Sequence, residues 1–263
     1  MTAARVIDVH GHVGVTTSRR PGLPPPWMWG DAHDVRALCN TAGVADVFVS
    51  SLWSCRAWSR ESEREAREAA ETEEGTRFWA VLDPRISDSW DALLEAMAHP
   101  RCVGVKLHPV WQQWDLRDHL DRIMEVVSSH HSVVLTHSEV ADPLVSPLIC
   151  ADAANRYPDA TLIMAHLGYG AMPRSGLTRD QMIAIRLSRH GNLFVDTSSQ
   201  HMIFEGFLEL AVAEFGADQI LFGTDVPLHS SAAIVARVAQ SRIPSEAKEK
   251  ILSGNAIRIW GSL

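Results

Sequence analysis

The sequence predicts a single α/β domain over residues 1–263, folded as a (β/α)8 barrel, or TIM barrel. Two observations predict this fold class. Eight short runs rich in apolar and β-branched residues recur along the chain, and amphipathic or strongly charged segments separate them. Most of these runs are continuously apolar, as in strands that are buried on both faces of a parallel sheet. An open, doubly wound sheet is the alternative, and no repeat or linker indicates a second domain.

The predicted strands and helices alternate from one end of the chain to the other. Helices are predicted in the intervening segments, as in 89–99, 116–130 and 202–215. The segment 59–74 is highly charged with alanine as its only apolar residue, and we expect it to form an exposed outer helix. The eight predicted strands are 5–10, 44–51, 77–83, 102–108, 132–137, 160–166, 192–198 and 219–225.

Composition excludes several classes of protein. The formal net charge is −8, whereas binding to nucleic-acid phosphates needs a basic stripe, so we expect no nucleic-acid partner. No run of about 18 apolar residues is present, so we expect no membrane span and no membrane partner. The first 14 residues lack the basic and apolar regions of a secretory signal, and the four cysteines form no CxxC pair. Both features predict a reduced, cytoplasmic location.

Groups that can bind a metal ion stand at the ends of five predicted strands. The carboxyl ends of barrel strands converge on one face, where such barrels place their chemistry. Residues two apart on a strand point to the same side, so the first two histidines can bind one ion together. Imidazoles with a carboxylate suit zinc, manganese or iron, although a single histidine at a strand end is usually a hydrogen-bonded core residue. The candidates are His10, His12, Lys106, His108, His137, His166 and Asp225.

An ordered set of motifs resembles a known family. They are VIDVHGH (6–12), RFWAVLDP (77–84), GVKLHP (104–109), THSE (136–139), IMAHLGYG (163–170), FGTDVP (222–227) and ILSGNAIRIWG (251–261). Together they resemble the amidohydrolase superfamily, within it the amidohydrolase-2 (ACMSD-like) branch of metal-dependent TIM-barrel hydrolases and decarboxylases. The resemblance implies that His10, His12, His137 and Asp225 bind the metal, and that His166 activates or orients metal-bound water. Because HxH starts at His10, we expect no N-terminal β-sandwich domain of the kind that some other branches carry.

The number of metal ions at the site depends on whether the amine of Lys106 is carboxylated. Only three of the 24 basic residues are lysines, so a lysine inside a strand calls for a reason. In binuclear amidohydrolases a carboxylated lysine on the fourth strand bridges two metals, and His166 would then bind the second ion. Alternatively, Lys106 contacts substrate or water, or forms an ion pair with a buried acid. We expect one divalent ion, most readily Zn²⁺, with Mn²⁺ or Fe²⁺ as alternatives, and two ions if Lys106 is carboxylated.

The expected reaction is hydrolysis of an amide, lactone or related C–N or C–O bond of a small molecule. Asp225 would take a proton from water and return it to the leaving group, and His166 would hold the water or the developing oxyanion. Non-oxidative decarboxylation of an aromatic or enoic acid is the alternative, because the same branch performs it on nearly the same ligands. A TatD-like nuclease and a catalytically inactive binding protein are weaker alternatives, since the surface is acidic and no ligand is missing.

Loops after predicted strands 1, 2 and 4 carry six tryptophans: Trp27, Trp29, Trp53, Trp58, Trp111 and Trp114. They either pack against one another, as at a homodimer contact, or form an aromatic wall for a planar or apolar substrate. Arg56, in the loop after the second predicted strand, has the charge to bind a substrate carboxylate. The candidate substrate-binding residues are Lys106, His108, Arg56, Trp53, Trp111 and Tyr169.

Overall fold

The computed structural model describes residues 5–15, 29–140, 142–168 and 180–261. Nine strands form one curled sheet in the order β2-β1-β3-β4-β5-β6-β7-β8-β9. All neighbours are parallel except β1 and β2. The strands are β1 (Ile7–Val15), β2 (Trp29–Gly30), β3 (Asp46–Ser51), β4 (Thr76–Val81), β5 (Cys102–Leu107), β6 (Val133–Thr136), β7 (Thr161–Met164), β8 (Leu193–Asp196) and β9 (Ile220–Leu221).

Helices follow the parallel strands, as the alternating pattern predicts. Short 3-10 turns span Pro143–Val145 and Gln200–Ile203, and a π turn spans Lys250–Gly254. The α-helices are α1 (Ala32–Thr41), α2 (Leu52–Arg56), α3 (Arg60–Thr72), α4 (Ser87–Met97), α5 (Pro109–Gln112), α6 (Leu116–Ser129), α7 (Pro147–Arg156), α8 (Asp180–Leu187), α9 (Phe207–Phe215), α10 (Ser231–Gln240), α11 (Ser245–Glu249) and α12 (Asn255–Trp260). None of the helices described is both long and apolar enough to cross a membrane.

The two ends of the sheet are hydrogen-bonded to each other. In β1, Val9 N–H donates to the carbonyl of Phe222 at 2.9 Å, and His12 N–H donates to the carbonyl of Val226 at 2.7 Å. In the opposite direction, Asp225 N–H donates to the carbonyl of His10 at 2.7 Å. The segment that follows β9 therefore lies beside β1, and the last predicted strand, 219–225, is regular only over its first part.

One apolar cluster fills the concave side of the sheet. Every parallel strand contributes to it, and Phe48 and Trp79 are its largest members. The indole N–H of Trp79 donates to the carbonyl of Val9 at 2.9 Å. Trp260 on α12 packs edge-on against Phe48 and Trp79, with centroid distances of 5.0 and 5.8 Å, and donates to the carbonyl of Val103 at the start of β5. These aromatic rings therefore fill the interior of the sheet beside the start of β5.

Two irregularities in the sheet turn particular side chains inward. The pairing of β1 with β3 slips between Asp8 and Gly11, and that of β4 with β5 slips next to Gly104. On β5, Val103 belongs to the inner cluster and Val105 to the outer one, yet Lys106 contacts the interior residue His10. A bulge of this kind reverses the side that the following residues face.

The charged segment forms α3, as the sequence predicts, but one face of the helix is buried. The hydroxyls of Ser59 and Ser62 form a reciprocal capping box at its amino end. The alanines at positions 66, 69 and 70 are buried against the sheet, because their small side chains allow a close approach. The carboxyl group of Glu63 is buried with them. The expectation of an exposed helix therefore holds only for its outer face.

Candidate metal centre

Two histidines and one aspartate converge where β1 and the segment after β9 meet. The Nε2 atoms of His10 and His12 lie 3.5 and 2.9 Å from the Oδ1 atom of Asp225. All three residues are buried. Their donor atoms lie within 4.8 Å of one another, so the three residues form a group that could hold a metal ion.

The far nitrogen of each β1 histidine is held by a neighbouring strand. His10 Nδ1–H donates to Asp196 Oδ2 on β8 at 2.8 Å, and His12 Nδ1 lies 2.9 Å from the hydroxyl of Ser50 on β3. Hydrogen bonds to Nδ1 fix the tautomer and the ring plane, and they direct Nε2 toward the carboxylate of Asp225. The arrangement matches that of imidazoles that bind a metal through Nε2.

The backbone around Asp225 and His166 is shaped to aim these side chains. Both residues have positive φ angles, 62° and 63°, in the left-handed region that non-glycine residues rarely occupy. The carboxylate of Asp8 accepts hydrogen bonds from the backbone N–H groups of His10 and Thr224, both at 3.0 Å, and so fastens β1 to the residue before Asp225. Strained backbone of this kind is typical of functional sites.

Asp196 links the histidines to one another. Its Oδ1 accepts from the backbone N–H of His166 at 2.9 Å and from the hydroxyl of Ser198. Since that hydroxyl donates to Asp196, it accepts from His166 Nδ1–H, 2.7 Å away. Burial alone would raise the pKa of Asp196, but the adjacent His10 and His166 outweigh burial and hold the pKa below its ordinary value. Sequence reasoning missed Asp196, although it lies near the end of a predicted strand.

Four imidazoles in this cluster are kept neutral. Burial lowers the pKa of His12 to about 4, and it lowers the pKa values of His108, His137 and His166 as well. Neutral imidazole is the form that binds metals. The carboxyl group of Asp225 has a pKa well below its ordinary value, because its contacts with His12, His166 and His10 outweigh its burial. Neutral nitrogen donors with one anionic oxygen therefore fit a divalent ion.

Lys106 lies inside the cluster. Its side chain is completely buried, and Nζ donates to His10 Nε2 at 2.8 Å. Burial lowers the pKa of the amine. This direct contact is with an imidazole and not with a carboxylate, and it places the amine at the nitrogen that faces Asp225.

His137 and His108 lie next to this group. The ring of His137 is 5.0 Å from that of His166, and its Nε2 is 3.7 Å from the carboxylate of Glu139, which sequence reasoning did not single out. His108 stacks on His137 with ring centroids 4.2 Å apart, and Trp111 stacks on the other side of His108, also at 4.2 Å. Among the described residues, two groups of three donors lie within 4.8 Å: His10, His12 and Asp225, and His10, His166 and Asp196.

The loop residues fall into separate environments. Trp53 is 41% exposed, and Arg56 on the same short helix is also exposed. Trp114 is buried, and its indole N–H donates to the side chain of Gln112 at 2.8 Å, so it packs in the protein rather than walling a pocket. Trp27 and Tyr169, two further loop candidates, lie outside the described residues.

Comparison with known proteins agrees with this picture. The family model Amidohydro_2, described as amidohydrolase, matches residues 7–262. No match was found among curated proteins. A protein from Pseudomonas putida assigned as a 2-pyrone-4,6-dicarboxylic acid hydrolase is similar in structure, with a TM-score of 0.74, 20% identity and 98% of both chains covered.

Two decarboxylases with bound manganese are also similar in fold. A 5-carboxyvanillate decarboxylase from Novosphingobium aromaticivorans has a TM-score of 0.70 and 13% identity, covering 99% of this chain and 97% of that one. A dihydroxybenzoic acid decarboxylase from Polaromonas has a TM-score of 0.68 and 17% identity, covering 97% and 96%. Because the family model spans nearly the whole described chain, this protein belongs to the amidohydrolase family, in its amidohydrolase-2 branch.

Proposed function

We propose that the protein is a metal-dependent hydrolase that uses activated water to cleave an amide, lactone or related C–N or C–O bond of a small molecule. The observation that carries the proposal is the convergence of His10 Nε2, His12 Nε2 and Asp225 Oδ1 within 4.8 Å at the carboxyl end of the sheet. We also propose that the sheet closes as a (β/α)8 barrel. The hydrogen bonds between β1 and the segment after β9 support this closure.

His10, His12 and Asp225 would hold the ion, with His137, directly after β6, as a further ligand. Such an ion supplies a Lewis acid that polarises a substrate carbonyl and lowers the pKa of water to about 7. Zinc is the first candidate from the donor set, and manganese is the second, since two structural neighbours contain it. We propose one ion per chain, with Lys106 uncarboxylated: its amine contacts His10 Nε2 in this structure, and it would turn to water or substrate when the ion binds that nitrogen.

Asp225 is the residue that we propose for both proton transfers, from water and to the leaving group. Its carboxylate, held in the anionic form by three histidines, accepts the proton of the attacking water. As the tetrahedral centre collapses, the same carboxyl group returns the proton to the departing nitrogen or oxygen. His166, held through Nδ1 by Ser198, presents Nε2 to the water or to the developing oxyanion. Lys106 adds a positive charge that can attract a substrate carboxylate or stabilise the oxyanion.

The exposed residues of α2 are the proposed contacts for the rest of the substrate. Trp53 offers an apolar face, and Arg56 makes no hydrogen bond or ion pair with the other described residues. An arginine with this freedom can form a bidentate pair with a carboxylate. The sequence places Tyr169 just after His166, and we retain it as a proposed contact. The substrate we infer is a small, planar carbonyl compound that carries a carboxylate.

The test pairs metal analysis with a substrate panel. The purified protein should contain one divalent ion per chain and release product from lactones or amides of small carboxylic acids. Asp225→Asn should lower kcat/KM by a factor of about 10³, since general acid–base catalysis contributes about 10²–10⁴-fold. Asp118→Asn, an exposed change on α6, is the matched control. Wild-type turnover by the Asp225→Asn protein would contradict the assignment.

Decarboxylation is the second candidate, because both manganese-containing structures compared above are decarboxylases of carboxylated phenols. The same metal position would hold the substrate, and a cation such as Arg56 would bind its carboxylate. Release of carbon dioxide from a carboxylated aromatic panel, without hydrolysis of the lactones or amides, would replace our proposal by this one.

A further inference from the structure

We propose that His108 and Trp111 are positioning residues, which set the ring orientation of His137 and thereby the affinity of the site for its ion. This inference rests on the proposed function, in which His137 is a metal ligand. It differs from the sequence-based expectation that His108 and Trp111 contact substrate.

Three rings form one continuous column at the carboxyl ends of β5 and β6. The planes of His137 and His108 are 12° apart, and those of His108 and Trp111 are 7° apart, with centroid distances of 4.2 Å in both pairs. The column is nearly parallel throughout. Rotation of the His137 ring about its Cβ–Cγ bond would tilt it against the face of His108. The column therefore restricts the direction in which His137 presents its nitrogens.

The middle ring, that of His108, is held by a hydrogen bond from the backbone of α5. His108 is the N-cap residue of α5, and its Nδ1 accepts a hydrogen bond from the backbone N–H of Trp111 at 3.3 Å. Since Nδ1 is the acceptor, neutral His108 carries its proton on Nε2. The imidazole can neither rotate nor change tautomer without losing this bond.

The outer ring is fixed by the anchorage of α5. Arg85 Nη2 donates to the carbonyl of Gln112 at 2.7 Å, and the side chain of Gln112 donates to the carbonyl of Ser54 at 3.1 Å. The same side chain accepts from the indole N–H of Trp114 at 2.8 Å. A helix of only four residues is thereby attached on both sides, to the loop after β4 and to α2. These hydrogen bonds keep the ring of Trp111 in place against the ring of His108.

The experiment measures metal affinity, with the stability of the metal-free protein as the control. Protein stripped with a chelator is titrated with Mn²⁺ and, separately, Zn²⁺ against a fluorescent chelator. Trp111→Leu removes the flat face and should weaken binding of both ions about 10–100-fold, as is typical for residues that orient metal ligands. Trp111→Phe keeps an aromatic face and should bind within about threefold of wild type by the same reasoning. The melting temperatures of the metal-free forms should differ little.

A matched control and a second pair of variants complete the test. Phe204→Leu removes an exposed aromatic ring from the segment after β8 and should leave the affinity unchanged. If Trp111→Leu does not fold, His108→Phe and His108→Leu ask the same question: the first should retain affinity and the second should lose it. If wild type, Trp111→Leu and His108→Leu bind the ions with equal affinity, the inference about the ring column is wrong, and the proposed function is unaffected. A wild-type protein that binds neither ion would instead overturn the proposed function.

Discussion

Glu63 is a buried carboxyl group on α3, and its replacement by glutamine should remove the contribution of this group to the pH dependence of the stability of the protein. Oε1 accepts a hydrogen bond from the backbone N–H of Val81 on β4 at 2.8 Å. Oε2 is buried with no hydrogen-bond partner among the residues described. Burial is the largest cause that raises the pKa of this group, from 4.5 to about 8.

The sign of the effect follows from the direction of this shift. Between pH 4.5 and pH 8 the unfolded chain loses the proton of Glu63, whereas the folded chain keeps it. The unfolded state is then favoured as pH rises, and the free energy of unfolding falls. At about 1.4 kcal/mol per pKa unit, the contribution of Glu63 to the stability falls by about 3–4 kcal/mol between pH 5 and pH 8.

Unfolding by urea, followed by circular dichroism at pH 5 and pH 8, measures the effect. Glu63→Gln keeps the acceptor for Val81 and cannot ionise, so it should equal wild type within about 1 kcal/mol at pH 5 and exceed it by about 3 kcal/mol at pH 8. Glu68→Gln, an exposed change on the same helix, should leave the pH dependence of wild type intact. Parallel pH profiles for wild type and Glu63→Gln would refute the reasoning.

Two further predictions concern the metal centre and the bulge that supports it. Asp196→Asn removes the anion that holds His10 Nδ1 and should weaken Mn²⁺ binding about 10–100-fold in the chelator competition; unchanged affinity would show that Asp196 does not orient the ligand. Gly104→Ala would place a Cβ atom 2.2 Å from the carbonyl oxygen of Val133, at a φ of 146°, and should cost at least about 3 kcal/mol in thermal unfolding. Gly43→Ala, with a φ of 76° and nothing within 4 Å, should cost only about 1–2 kcal/mol, and equal losses at the two glycines would contradict the steric argument.

The sequence predicted the succession of the parallel strands and the residues at most of their ends from local patterns. It ended the first strand at His10, whereas β1 continues to Val15, so that His10 and His12 lie within the strand. It did not predict β2, a pairing of two residues in which Trp29 and Gly30 lie beside the end of β1. It also made the last strand too long, since the residues before Asp225 leave the regular pattern to reach a positive φ angle. Asp196 and Ser198 were missed because a single acid and a single hydroxyl form no motif. Their sequence context does not distinguish a residue that hydrogen-bonds to a metal-binding histidine from a residue of a turn.

By itself, the sequence predicted the candidate residues of the centre: the HxH pair, the histidines after the fifth and sixth predicted strands and the aspartate after the eighth. Only the tertiary structure decided where these side chains point. If β1 alternated strictly after Ile7 and Val9, which lie in the inner cluster, His10 and His12 would face the helices. The slip in pairing between Asp8 and Gly11 brings His10 into contact with Lys106 and Asp196 instead. Such a slip depends on how neighbouring strands pair in the curled sheet, and the period-two pattern of one strand contains no information about that pairing.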